Sequence, residues 1–282
     1  MQNREVRHYG IGGLVIEYDG PEFQEKDYLL KFRTEAQKAD IYYQCVVRDA
    51  VAAPKLPCVN YSRYIDVFGD GKEQVRAIYE QDRKEIIMND RSFDGVHHSV
   101  ELNANWQNRM NSRLAVILFD LPYLVFAREG FFLHASYIIW KERAILFTAP
   151  KQTGKTTQAK LWETYRGAKV INGDRALLRK VDGVWRVYGS PYCGTSKICE
   201  NVSAPLGAVV LLSQGKEDSI RLSKPVESVM ALMDGATFRT WDKGNIETMM
   251  DLAGNLIKDV PMYKLECTPT EKAVRTLEEV LW

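Results

Sequence analysis

Short apolar and alternating runs, separated by turn residues, fill the chain up to about residue 107. Runs rich in β-branched and aromatic residues are typical of strands. The runs are LVIEY at 14–18, YLLKF at 28–32, IYYQCVV at 41–47, and a pair joined by the hairpin-type turn Asp70-Gly71. We therefore expect residues 1–107 to form a strand-rich, mostly antiparallel region.

The hydrophobic period changes after residue 107. Apolar residues recur there at three- and four-residue steps, as on one face of a helix: Met110, Leu114, Ile117 and Leu121. The pattern predicts a connecting helix over residues 108–129.

Residues 130–282 combine buried-strand and helix patterns, and the whole chain is therefore predicted to be of the α+β class. One helix is expected after residue 155, with Thr157, Leu161 and Tyr165 on one face and an end at Gly167. The predicted strands are FFLHASYIIW at 131–140, AILFTA at 144–149, KVING at 169–173, a hairpin turned at Asp182-Gly183, and GAVVLLS at 207–213.

The stretch APKQTGKT, residues 149–156, matches the phosphate-loop pattern G-x-x-x-x-G-K-[ST] except at its first position. It lies between a predicted strand and a predicted helix, the context in which backbone N–H groups and a helix N-terminus hold phosphate. In this pattern Lys155 neutralises the β- and γ-phosphate oxygens, and the Thr156 hydroxyl binds Mg²⁺. The predicted nucleotide contacts are Gln152, Thr153, Gly154, Lys155, Thr156 and Thr157. The alternative is a strand-to-helix turn that needs one glycine and carries a surface lysine.

Two further residues are expected to reach the same end of the sheet. Asp174 ends the KVING strand, where a carboxylate can meet the phosphates and a metal ion, although NGDR is also a turn-forming sequence. His134 lies on the strand that is expected to pair with the one feeding the loop, although a lone strand histidine is more often a packing residue. Together with Lys155 they form a candidate catalytic group.

The composition limits the classes of partner that the chain is expected to bind. Lys plus Arg number 38 and Asp plus Glu 37, so no net field favours nucleic acid or an anionic membrane. No run is apolar enough to span a bilayer, and the first residues do not resemble a secretory signal. The five scattered cysteines form no CxxC pair. We expect a cytoplasmic protein with reduced thiols, no nucleic-acid partner and no membrane contact.

The order of these motifs resembles the catalytic domain of the HPr kinase/phosphorylase family. LHAS on a strand, an apolar strand, a loop ending GKTT, a helix and then VINGD carry the resemblance, over roughly residues 130–270. The larger phosphoenolpyruvate carboxykinases share this phosphate-loop architecture. The chain looks most like the stand-alone HPr-kinase-like proteins of peptide-modification systems. The implied architecture is a strand-rich N-terminal region followed, at 130–282, by a phosphate-loop domain with a mixed sheet and flanking helices.

The resemblance implies transfer of the γ-phosphoryl group of ATP, or of GTP, with Mg²⁺, to a hydroxyl that is usually a serine. It gives the position of His134 a supporting role for the catalytic carboxylate, and that of Asp174 the role of general base or metal ligand. The sequence departs from the family in three places. Gly173-Asp174 replaces a pair of aspartates, Gln152 and Ala149 replace loop glycines, and GSPYCGTSK at 189–197 replaces a Glu-Arg-Gly signature.

Three functions fit these residues. The first is a kinase acting on a peptide or small protein, with the N-terminal region either pairing with an extended peptide as an added strand or serving as a structural cap. The second is a kinase for a small-molecule alcohol. The third is a nucleotide-binding adaptor that has lost catalysis. Neither the acceptor nor the oligomeric state follows from the sequence.

Overall fold

The computed structural model describes residues 6–24, 28–194 and 197–282. The chain divides into two compact units, Met1–Asp120 and Leu121–Trp282. Both contain a sheet and helical segments, so the α+β class is confirmed. No helix among the described residues has the length and apolar character needed to cross a membrane.

In the described residues of the first unit, nine strands form one sheet in the order β3-β1-β2-β4-β9-β8-β7-β6-β5. The neighbours β2–β4 and β4–β9 run parallel, and the other pairs run antiparallel, as the turn signals predicted. The strands are β1 Arg7–Ile11, β2 Leu14–Asp19, β3 Arg33–Thr34, β4 Ile41–Arg48, β5 Cys58–Asn60, β6 Ile65–Gly69, β7 Gln74–Tyr79, β8 Ile86–Ser92 and β9 His97–Asn103.

The segment YLLKF is not the predicted strand. It forms the 3-10 helix Tyr28–Phe32, which buries Leu29 and Phe32. These two apolar residues are three apart, so a three-residue turn places both on one side. The N–H of Leu29 donates to the Ser112 hydroxyl at 3.0 Å instead of joining a ladder. Tertiary packing therefore overrides a strand-like composition here.

The single connecting helix predicted over 108–129 is also wrong. The chain forms a 3-10 helix, Ala104–Arg109, and two short α-helices, α1 Ser112–Leu118 and α2 Leu121–Phe126. Asn111 caps α1 by accepting from the N–H of Leu114 at 3.1 Å. Asp120 has a left-handed φ of 44°, which separates α1 from α2, and Pro122 lies in the first turn of α2. The boundary between the two units along the sequence falls at this break.

A buried ion pair fastens α1 to the first sheet. Arg76 on β7 lies 2.6 Å from Asp90 on β8, and both side chains are at least 95% buried, with exposed fractions of 5% and 2%. Arg76 also donates to the carbonyl oxygens of Ile117 and Leu118 at the end of α1. Asp90 accepts a second contact from Nδ1 of His98 at 2.9 Å. The charged group therefore caps a helix end inside the protein.

The described residues of the second unit form nine further strands and, with α2, five α-helices. The strand order is β11-β10-β13-β14-β15-β18-β16, and β11 also pairs with β15, which closes a ring of five strands. The elements are β10 Gly130–Trp140, β11 Arg143–Thr148, α3 Lys155–Arg166, β12 Lys169–Asn172, β13 Arg175–Val181, β14 Val184–Tyr188, β15 Ser203–Gln214, β16 Ser219–Leu222, α4 Pro225–Gly235, β17 Ala236–Thr237, α5 Lys243–Asp259, β18 Met262–Cys267 and α6 Glu271–Glu278.

Strand direction brings several carboxyl ends to one edge of this sheet. β11 and β12 both run antiparallel to β10, so they share a direction, and β15 runs parallel to β11. Their last residues, Thr148, Asn172 and Gln214, therefore end at the same edge. In α/β sheets this is the edge where ligands bind.

Helix α3 packs with a different face from the predicted one. Thr157 and Tyr165 are exposed, whereas Ala159 and Trp162 are fully buried. The Trp162 ring packs edge-on against Trp140 of β10, with centroids 5.1 Å apart. The predicted end is confirmed, because Gly167 caps α3 in a left-handed conformation.

Candidate functional site

The loop between β11 and α3 has alternating backbone handedness. Gln152 has φ 64° and Gly154 φ 111°, while Thr153 between them has no positive φ. Such alternation turns successive N–H groups toward one side and forms an anion-binding concavity. A Cβ placed on Gly154 would meet nothing within 4 Å, so the glycine is needed there for its positive φ and not for lack of space. Ala149 has no positive φ either, which explains why this position does without a glycine.

Lys155 begins α3 and is turned back over the loop. Its Nζ donates to the carbonyl oxygens of Ala149 at 2.9 Å and Pro150 at 3.1 Å, and the residue is only 7% exposed. Burial lowers the pKa of Lys155, Asp174 opposes this and Lys151 adds to it. An ammonium held by two neutral carbonyls remains a buried charge without a close anion, which favours an incoming phosphate.

Side chains fix the loop at three points. Thr153 donates through Oγ1 to Pro150 O at 3.0 Å, and Thr156 Oγ1 lies 3.4 Å from Gly173 O. Gln214, at the end of β15, donates to Gln152 O at 3.3 Å. Gln214 was missed by the sequence reasoning, because only the parallel pairing of β11 and β15 brings it to the loop. The exposed Thr157 lies on the first turn of α3.

Asp174 is held by the turn that its sequence predicts. The Asn172 side chain, fully buried, accepts the N–H groups of Asp174 at 2.9 Å and Arg175 at 3.0 Å. Its Nδ2 donates to Tyr192 O at 2.7 Å. The Asx turn therefore also positions the carboxylate, since the turn places Asp174 between β12 and β13.

His134 lies against Asp174. Its Nδ1 is 3.1 Å from the backbone oxygen of Asp174 and 3.5 Å from Oδ1 of the carboxylate. Burial lowers the pKa of His134, the charges of Lys155 and Arg175 lower it further, and Asp174 opposes them. The imidazole is therefore neutral at pH 7, with the proton on Nδ1 toward the Asp174 oxygens. The structure brings His134, Lys155, Thr156 and Asp174 to one edge of the sheet.

Gly194 approaches the candidate base closely. It has φ 51°, and a Cβ placed there would lie 2.6 Å from Cγ of Asp174 and 2.9 Å from Oδ2. The backbone of the segment after β14 thus covers one side of the carboxylate. The sequence marks this position only as one glycine among 19.

Gly194→Ala is expected to lower any activity that depends on Asp174 by about a hundredfold, because a side chain there must push the carboxylate aside. Steady-state kinetics of the purified variant measure the loss. Gly183→Ala is the matched control, since Gly183 has a φ of 76° but open space around it. Equal activity of the two variants would contradict the close approach.

The donor atoms at this edge suit a hard cation. The Thr156 hydroxyl adjoins the Gly173 carbonyl, and the Asp174 carboxylate follows directly, so all are oxygen ligands of the kind Mg²⁺ prefers. Among the described residues, no group of three or more His, Cys, Asp or Glu side chains is arranged to hold a metal ion. A Mg²⁺ ion that relies on one carboxylate, a hydroxyl and phosphate oxygens fits this donor set.

A cavity of about 650 Å³ lies elsewhere in the second unit. It is lined by α2, the β13–β14 hairpin and α5, and includes Phe126, Trp185 and Leu252. None of the predicted site residues lines it, so its size does not bear on the phosphate loop.

The fold and site define an α+β protein with a phosphate-loop-like strand–loop–helix and an adjacent carboxylate–histidine pair. No protein-family model matches the chain, and no curated protein matches its sequence. Among solved structures, it is similar to the HPr(Ser) kinase/phosphatase from Coxiella burnetii, with 11% identity and a TM-score of 0.31. That similarity covers 52% of this chain and 90% of the other.

Proposed function

We propose that the chain is an ATP-dependent kinase that transfers the γ-phosphoryl group to a hydroxyl, with a serine of a peptide or small protein as the acceptor. The observation that supports this most is the position of the Asp174 carboxylate, which lies 3.5 Å from Nδ1 of His134 and close enough to the loop lysine to act on its pKa. A phosphate-holding loop alone would equally serve an adaptor. A carboxylate placed beside it supplies a general base.

The loop residues would bind and orient the nucleotide. The N-terminus of α3 and the concavity over residues 152–156 hold phosphate oxygens, and Lys155 leaves its two carbonyl partners for the β- and γ-phosphates. Catalysis of phosphoryl transfer is chiefly positioning and charge neutralisation, because the transition state is loose. Thr156 would hold Mg²⁺ together with phosphate oxygens, and the ion when bound neutralises charge on those oxygens.

Asp174 would accept the acceptor's hydroxyl proton. His134 acts as its positioning residue, since its Nδ1–H points at the Asp174 oxygens and its neutral ring adds no competing charge. The Asn172 side chain keeps the backbone of Asp174 in place. His134 lies within β10 and Asn172 ends β12, so the base rests on strands of the sheet.

The proposal is tested by incubating the chain with γ-labelled ATP, Mg²⁺ and an extract of the source cells, followed by separation of the products by size. Label in a peptide or protein fraction is the expected result. Label in a small-molecule ester would instead identify a metabolite kinase, and release of free phosphate alone an ATPase. Nucleotide binding without any transfer would favour the adaptor and contradict the kinase.

A further inference from the structure

Arg175 is the first residue of β13, next to the candidate base. It pairs across the strands with His134 of β10, and cross-strand partners point to the same face of a sheet. Its Nε lies 3.9 Å from Oδ2 of Asp174, too far for a hydrogen bond but close enough for attraction. The guanidinium therefore lies on the face that carries His134.

A second element fixes the guanidinium. Thr237 of β17 accepts a hydrogen bond from Nη1 of Arg175 through its hydroxyl. Thr237 pairs with Phe132, two residues from His134, so the bond crosses over β10 from one neighbouring strand to the other. A guanidinium carries five N–H donors, so this single bond sets its orientation and leaves donors for an anion.

Two cations, Lys155 and Arg175, lie near the carboxylate of Asp174. Arg175 also lies opposite His134 on the neighbouring strand. Arg175 is 32% exposed at its side chain, so it is reachable from solvent. Lys155 already belongs to the nucleotide loop, whereas Arg175 begins β13, outside that loop.

We propose, on the basis of the proposed kinase function, that Arg175 is a catalytic residue that contacts the phosphoryl group during its transfer, and that Thr237 is its positioning residue. The acceptor oxygen forms a bond to the γ-phosphorus as the bond to the β,γ-bridging oxygen breaks. Asp174 takes the acceptor proton and the nucleoside diphosphate leaves with the bridging oxygen. The guanidinium neutralises charge on the phosphoryl oxygens between the two partners.

The test compares MgATP affinity and transfer rate in the unaltered chain and in Arg175→Ala. Transfer is expected to fall roughly a thousandfold, as for other arginines that contact a transferring phosphoryl group. MgATP affinity should stay within about threefold, because the contact is strongest in the transition state. Low, non-denaturing concentrations of guanidinium chloride should restore part of the rate in Arg175→Ala but none in Asp174→Asn.

The Thr237 variants separate positioning from folding. Thr237→Ser keeps the hydroxyl and should keep the rate, whereas Thr237→Val removes the acceptor at similar volume and should lower the rate about tenfold. Unchanged transfer by Arg175→Ala, or parallel loss of affinity and rate without rescue, would overturn the role of Arg175. Absence of transfer by the unaltered chain with every acceptor fraction would overturn the kinase function itself, and this inference with it.

Discussion

Asp174→Asn is expected to lower phosphoryl transfer by about 10²- to 10⁴-fold, the usual contribution of a general base. MgATP affinity should change little, because the amide has the shape of the carboxylate and the turn is built from backbone N–H groups donating to Asn172. Single-turnover transfer and equilibrium binding, measured on the same preparation, separate the two quantities.

Asp182→Asn provides the control for the loss of one carboxylate from the second unit, since Asp182 lies in the β13–β14 turn and lines the separate cavity. That variant should keep its full rate. If Asp174→Asn instead loses affinity and rate equally, Asp174 serves the metal and the assignment of the base is wrong.

Arg76→Met is expected to destabilise the first unit by about 3–5 kcal/mol, because it leaves the Asp90 carboxylate buried without its main counter-charge. Two carbonyl groups at the end of α1 lose their donor as well. Urea titration combined with hydrogen exchange of the β7 and β8 amides measures the loss. As a control, Arg48→Met removes an ion pair with Glu101 in which the two side chains are 54% and 46% exposed. This variant should lower the free energy of unfolding by less than about 1 kcal/mol.

The stability that the Arg76–Asp90 ion pair contributes changes with pH in a definite direction. Burial raises the pKa of Asp90, but Arg76 and His98 lower it more, so its net pKa is depressed. The pair therefore stabilises the unaltered chain above the unfolded carboxyl pKa of about 3.9, and this stability is lost as the pH falls further. In Arg76→Met the deficit should be largest near neutral pH and should shrink toward pH 4, where Asp90 takes up a proton. A deficit independent of pH would contradict this account.

Local chemistry made much of the fold predictable. The turn pairs Asp70-Gly71 and Asp182-Gly183 each join two strands in the structure, because these residues adopt the backbone angles that tight hairpins need. The apolar run before the loop is a strand with neighbours on both sides. Gly167 ends α3 for the same local reason.

The features that were missed depend on distant contacts. YLLKF forms a 3-10 helix because Leu29 and Phe32 are buried on one side, and composition alone does not reveal that. The helix predicted over 108–129 breaks at Asp120, whose left-handed backbone is not encoded by the apolar period. The parallel pairings of β4 with β2 and β9 likewise have no local signal.

The residues of the candidate site also fall into those that a local sequence signal marks and those that only folding brings there. The loop motif marks Lys155 and Thr156, and a strand followed by a turn marks Asp174. The groups that hold them, Gln214 and Gly194, come from segments far along the chain and meet the loop or the carboxylate only after folding. Sequence therefore identifies the reacting groups better than the residues that position them.

The most direct test of the central claim, that the loop over 149–156 holds the phosphates of a nucleotide, is calorimetric titration of MgATP into the unaltered chain and Lys155→Ala. The account predicts binding that the variant weakens by about a hundredfold, or ~2.7 kcal/mol. Lys160→Ala, an exposed lysine on the same helix, should bind like the unaltered chain. Absence of binding by the unaltered chain, or equal binding by Lys155→Ala, would contradict the claim.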